Sequence, residues 1–108
     1  MYSSIMVSQA KKAIDYAINE IREAEGKIYK FQQDFDASIF GGDEGLDSLN
    51  FAFFVVNIEE YVKSEMSIEI VLFDDYVFGL DPQDPKHPFA NLKNLTHYVE
   101  DKIKSAMT

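Results

Sequence analysis

Apolar residues recur at helical spacing in three stretches of this chain, and the gaps between them hold all of its glycines and prolines. In the first stretch Ile14, Ala17, Ile18 and Ile21 are interleaved with Lys11, Lys12, Asp15, Asn19, Glu20 and Arg22, the pattern of an amphipathic helix. Ser8 is of the N-capping type and sets the expected start, while Gly26 sets the stop. The second stretch predicts a helix from about Ser48 to Lys63 or slightly beyond. Asp47 or Ser48 caps it, and an acid at that end suits the helix dipole. The third begins near Asn91 and is expected to bury Leu92, Leu95, Val99 and Ile103.

The gaps are informative in different ways. Residues 27–47 form a long connection that nevertheless carries Ile28, Tyr29, Phe31, Phe35, Ile39 and Phe40. So many apolar side chains predict a segment pinned across the helices, with room for a short helical turn. The run from Met66 to Phe73 is rich in β-branched residues and favours strand by propensity. A lone strand has no pairing partner, so an extended linker is the better expectation. Asp74-Asp75 opens a short helix through Tyr76, Val77 and Phe78, stopped by Gly79. Residues 81–88 contain three prolines and must be loop. No repeat or low-complexity segment is present. The expected fold is all-α: a four-helix bundle of three longer helices and one short one, with a long loop between helices one and two, in a single domain over residues 1–108.

The second helix carries apolar residues on more than one side. Ala52, Phe54, Val55, Ile58 and Val62 share one stripe, flanked by Phe51, and are expected to face the core. Burying each large side chain contributes roughly 1.5–3 kcal/mol. Leu49, Asn50, Phe53, Val56, Asn57 and Glu60 form a second stripe beginning beside Ser48. Two expectations compete for it: an exposed docking face, or Phe53 and Val56 packed beneath the long first loop.

Composition narrows the picture. Hydrophobic residues make up 46 % of the chain, enough for a core, and there is no cysteine. A disulfide scaffold, a thiolate zinc site and a cysteine nucleophile are therefore excluded together. With 10 basic and 19 acidic residues the net charge is −9, which disfavours nucleic acid and anionic membranes and favours partners with basic patches. No apolar run is long enough for membrane insertion and the first residues do not resemble a signal peptide. A cytoplasmic monomer is the default expectation.

The Gly-rich loop Gly41-Gly42-Asp43-Glu44-Gly45 leads directly into Leu46-Asp47-Ser48-Leu49. This segment resembles the phosphopantetheine attachment site of acyl carrier proteins, whose motif is Gly-x-Asp-Ser-Leu. Ile58-Glu59-Glu60 stands where those proteins carry a similar acidic run, Glu69-Ile70 matches the dipeptide after helix two, and Phe89, Leu92, Leu95, Tyr98 and Val99 are similar to the last helix. The resemblance spans about Ser8 to Lys104. It implies an acyl-carrier-like bundle that is a substrate and partner of enzymes and not itself one. A phosphopantetheinyl transferase, using coenzyme A and Mg²⁺, would attach 4'-phosphopantetheine to Ser48, making the chain a phosphoprotein, with Asp47 and Leu49 flanking the site. Acyl groups would ride on the imported thiol as thioesters, for fatty acid biosynthesis or a related branch of lipid metabolism. The resemblance implies Asp47, Glu59 and Glu60 as acidic docking residues with Leu49 and Val56 as apolar contacts, and the second stripe adds Asn50, Phe53 and Asn57, all facing an acyl ligase, synthase or acyltransferase. Asn50 and Phe53 replace the acids common in fatty-acid carriers, and the connections after Glu60 and through Pro88 are longer. These departures point to a specialised lipid or secondary-metabolite pathway. An aminoacyl or peptidyl carrier of the same fold is one alternative. A small acidic helical adaptor without a prosthetic group is the other.

Other constellations carry less. Asp34-x-Asp36-x-Ser38 opens like a calcium loop, but Ile39 stands where Gly is needed and Gly45 where a bidentate Glu is needed. Asp43, Glu44 and Asp47 read as a solvated acidic loop. His87 and His97 lack metal-ligand partners at useful spacing, so both read as surface or packing residues and no metal site is expected. Ser48 as a hydrolytic nucleophile lacks a general base and an oxyanion hole.

Overall fold

The computed structural model describes residues 2–26, 29–32, 34, 36–39, 45–81 and 84–107. Among these residues the regular structure is all-helical: α1 (Tyr2–Glu25), a 3-10 turn (Lys30–Gln32), α2 (Ser48–Met66), α3 (Asp75–Phe78) and α4 (Leu92–Met107). Of the run Met66 to Phe73, expected as an extended linker, Met66 ends α2, and residues 67–73 lie between the helices without forming a strand.

The α1 helix starts well ahead of Ser8, which lies inside it. Nothing between Ser3 and Val7 breaks a helix, and extending an existing one needs no second nucleation. Its buried face is Ala10, Ala13, Ile14, Ala17 and Ile21. Ile18, expected in the core, is only partly buried against it. The three alanines let α1 lie close to both of its neighbours, α2 and α4. The helix ends as expected at Gly26, whose φ of 64° is the left-handed conformation that terminates helices; its N–H donates to Arg22 O at 2.8 Å.

The Asp47 side chain caps α2, with Oδ1 accepting from the Asn50 N–H at 2.8 Å. At the far end Ser67 takes a left-handed conformation (φ 57°) and its N–H donates to Lys63 O. Phe51, Phe54, Val55, Ile58 and Val62 are buried. Ala52, expected in that stripe, is exposed, and Phe51 occupies the core instead. At about 100° per residue, the centre of the face formed by 51, 55, 58 and 62 lies roughly a quarter-turn away from position 52.

The long first connection is pinned as its composition predicts. Tyr29, Phe31, Ile39 and Leu46 are buried, and Phe31 meets Phe54 edge-on with ring centroids 5.8 Å apart. Leu46 N donates to Ile39 O at 2.8 Å, Ile39 N donates to Ala90 O at 3.3 Å, and Ser38 bridges Asn91. Ile28, Phe35 and Phe40, also expected to contribute, lie outside the described residues, as do Gly41 to Glu44.

The linker between α2 and α3 is held from both sides. Glu59 Oε2 on α2 accepts from the Leu72 N–H at 2.8 Å, and the Tyr98 hydroxyl on α4 donates to Leu72 O at 2.8 Å. Asp74 caps α3, accepting from the Val77 N–H at 3.0 Å, and Gly79 ends it. Lys102 of α4 pairs with the same Asp74. In α4, Leu92, Leu95, Thr96, Val99 and Ile103 are buried. Asn91 caps its first turn, accepting from the Asn94 N–H at 2.8 Å. The Asn94 amide donates to Pro85 O and His87 O at 2.9 and 3.1 Å, fastening the proline loop to the helix.

Candidate functional site

The sequence places its candidate attachment residue at the first position of α2, and Ser48 does open that helix. The Ser48 hydroxyl lies outside the described side chains. Asp47 is exposed and committed to capping, so its carboxylate sits at the positive end of the helix dipole. Leu49 is 80 % exposed, so its side of the first turn is open among the described residues.

From there an apolar strip runs outward along α2. Phe53 is 41 % exposed and Val56 50 %, and Glu60 continues the same line in solvent. Both side chains are exposed and not buried, which favours the open-face expectation over burial beneath the first loop. Phe31 of that loop packs on the other face of α2, against Phe54. Asn50 and Asn57 are half-buried on one shoulder of the strip. The Asn57 amide donates to Phe53 O at 2.8 Å, which ties it to its own helix. On that shoulder Tyr61 meets Tyr16 of α1, with ring centroids 5.4 Å apart.

Glu59 stands apart from the other proposed docking residues. It lies on the opposite shoulder and turns to the linker, where its carboxylate holds Leu72 N. Glu60 is the member of the acidic pair that faces solvent. The two glutamates are adjacent in sequence and divided in task. The sequence carried no signal for this, because the group that selects Glu59 is a backbone N–H thirteen residues away.

Charge around the head of α2 is negative. Tyr29, buried beside it, has its hydroxyl pKa raised by burial first and then by the charges of Glu25 and Asp47. A phosphodiester at the first residue of α2 would meet a favourable helix terminus and an open outer surface, though also the Asp47 carboxylate. On those terms the described residues at the head of α2 are chemically compatible with such a group.

Sequence reasoning missed an aromatic cluster just inside this site. Phe51, three residues after Ser48, meets Phe89 at 5.1 Å and Phe73 at 5.7 Å between ring centroids, and Phe73 meets Phe89 at 5.2 Å. Tyr98 adds a fourth ring 5.8 Å from Phe89. Such edge-to-face pairs contribute about 0.5–1.5 kcal/mol each beyond simple burial. His87 packs 5.5 Å from Phe89, and its Nδ1 accepts from the Phe89 N–H at 3.0 Å, so its packing role is as expected. His97 is exposed, 3.9 Å from Glu100. Among the described residues no group of acidic or histidine side chains is arranged to hold a metal ion, and no helix is long and apolar enough to cross a membrane.

No family model, no curated protein and no solved structure matches this chain.

Proposed function

We propose that this chain is an acyl carrier protein, carrying 4'-phosphopantetheine on Ser48 and presenting acyl thioesters to partner enzymes. The observation that carries the reading is the Gly45-Leu46-Asp47-Ser48-Leu49 run at the head of α2, where Asp47 caps the helix and Leu49 stands open. In the attachment, the Ser48 oxygen forms a new P–O bond to the pantetheine-side phosphorus of coenzyme A. The bond to the nucleotide phosphate breaks, the nucleotide half leaves, and the serine proton passes to the transferase. When bound, the arm supplies a thiol, which this cysteine-free chain lacks.

The chain's own residues supply position and recognition. Asp47 fixes the start of α2 and hence the Ser48 backbone. Leu49, Phe53 and Val56 offer an apolar strip, and Asp47 and Glu60 set negative charge at its ends for a partner with a basic rim. Phe53 in place of an acid makes this strip more apolar than that of a fatty-acid-synthesis carrier, which supports a specialised ligase, synthase or acyltransferase partner. The same strip also supports a second reading, an adaptor that binds protein without a prosthetic group.

Intact mass after incubation with coenzyme A, Mg²⁺ and a promiscuous phosphopantetheinyl transferase separates the two. The carrier reading expects a gain of one phosphopantetheine, absent in Ser48→Ala. Folded protein that gains nothing from several transferases refutes it and leaves the adaptor.

A further inference from the structure

An acyl chain tethered at Ser48 can enter the bundle beside α2 or remain outside it. On the linker side, Phe51 lies one helical turn below Ser48 and is 5 % exposed. Its ring closes a triangle with Phe73 and Phe89, all three pairs edge-to-face. At these separations each ring edge already rests on its neighbour's face, so these three rings leave no gap between them for a methylene chain. The surrounding backbone is held as well, with Leu72 clamped by Glu59 and Tyr98. On the loop side Phe31, Ile39, Leu46 and Phe54 are fully buried. An open cleft of about 550 Å³ exists between α3 and α4, but its walls include Asp74, Lys86, Asp101 and Lys102, and no α2 residue lines it.

We infer that Phe51, Phe73 and Phe89 close the bundle to cargo beside Ser48, so that the group carried is a short or polar acyl group that stays outside the core. This rests on the carrier reading. A long alkyl chain left in water forfeits the free energy of burying each methylene, whereas a short or polar group forfeits little. The aromatic cluster therefore acts on specificity without touching the reacting atoms: it removes the shelter a long chain would need.

The test is a chain-length series. Acetyl-, butyryl-, octanoyl- and dodecanoyl-coenzyme A serve as donors for the same transferase, and each product is followed by intact mass, thermal midpoint and cleavage of the thioester by hydroxylamine. The expected result is the correct mass gain at every length, with thermal midpoints agreeing within about 2 °C and cleavage rates within about twofold. A midpoint that climbs with chain length, together with slowing cleavage, overturns the inference while leaving the carrier reading intact. Absence of any mass gain overturns the carrier reading and this inference with it. Phe73→Ala, at a half-buried linker position, supplies a second arm. It should open the cluster and slow dodecanoyl cleavage relative to acetyl by about threefold or more. Folded Phe73→Ala with no such difference refutes the assignment to these rings.

Discussion

The two faces of α2 are made from the same residue types and have opposite fates. Phe54 and Val55 are completely buried, whereas Phe53 and Val56, their immediate neighbours, are 41 % and 50 % exposed. Hydrophobicity does not distinguish them; angular position does. The inner face is claimed by α1, the first loop and the aromatic cluster. The outer face has no described element across it. An apolar strip maintained in water, next to an exposed Leu49, sacrifices burial that an ordinary bundle helix would use. The helix can leave this strip in water because its other side already anchors the fold.

Truncating one ring on each face breaks this comparison most directly. Phe54→Ala should lower unfolding stability by about 3–5 kcal/mol through lost burial and a residual cavity, while Phe53→Ala should change it by no more than about 0.5 kcal/mol. Urea unfolding followed by circular dichroism measures both. Equal losses would mean that Phe53 is structural, and the outward strip would lose its meaning.

The adjacent glutamates sharpen the contrast at the shoulder. Glu59→Ala leaves the Leu72 N–H without its acceptor and should cost about 1–3 kcal/mol. Glu60→Ala, in solvent, should fall within about 0.5 kcal/mol of the parent. The same denaturation series tests both. A similar cost for the two would place them on equivalent faces. At the head of the helix, Asp47→Ala removes the cap and should cost about 1 kcal/mol, with Asp47→Asn recovering most of it. Recovery by Asn would separate capping from charge, since only the former survives that change.

The smallest effect is expected away from α2, at the Asp74–Lys102 pair. The Lys102 ammonium, first, and the Val77 N–H hold the Asp74 carboxyl below the ordinary carboxylate range. A depressed folded value means that the contribution is present above the unfolded pKa of about 3.9 and is lost as pH falls through the lower folded value. Lys102→Met should therefore be slightly less stable than the parent near neutrality, and the gap should close as the solution is acidified below the carboxylate range. A gap that persists in acid would assign the effect to packing against Tyr98, which the Lys102 ammonium approaches to 5.4 Å from the ring centroid.

Much of the architecture was legible in local sequence because its causes are local. The helix stop at Gly26, the cap at Asp47, the short helix opened by Asp74 and closed by Gly79, and the buried series Leu92, Leu95, Val99 and Ile103 all follow from capping chemistry and helical period. The start of α1 was misjudged because Ser8 can cap a helix but nothing obliges it to. Ala52 was misplaced because a small apolar residue fits equally well at a core edge or in solvent, and only the exact angle of the face settles which. The candidate site was legible at Asp47, Ser48 and Leu49 as a run of residues. Its outward strip was legible only as one of two options.

What the sequence by itself determined is the set of helices, their ends, and the presence of two apolar stripes on α2, since period and capping act within a few residues. Tertiary structure decided that the second stripe is exposed, which of two neighbouring glutamates is structural, and that Phe51, Phe73 and Phe89 meet beneath Ser48. Those outcomes depend on groups brought together from separate elements: Leu72 N against Glu59, Phe31 against Phe54, Phe89 against Phe51. Spacing along the chain does not encode such encounters. They are set when the helices pack and each buried polar group and ring finds the partner that geometry leaves within reach.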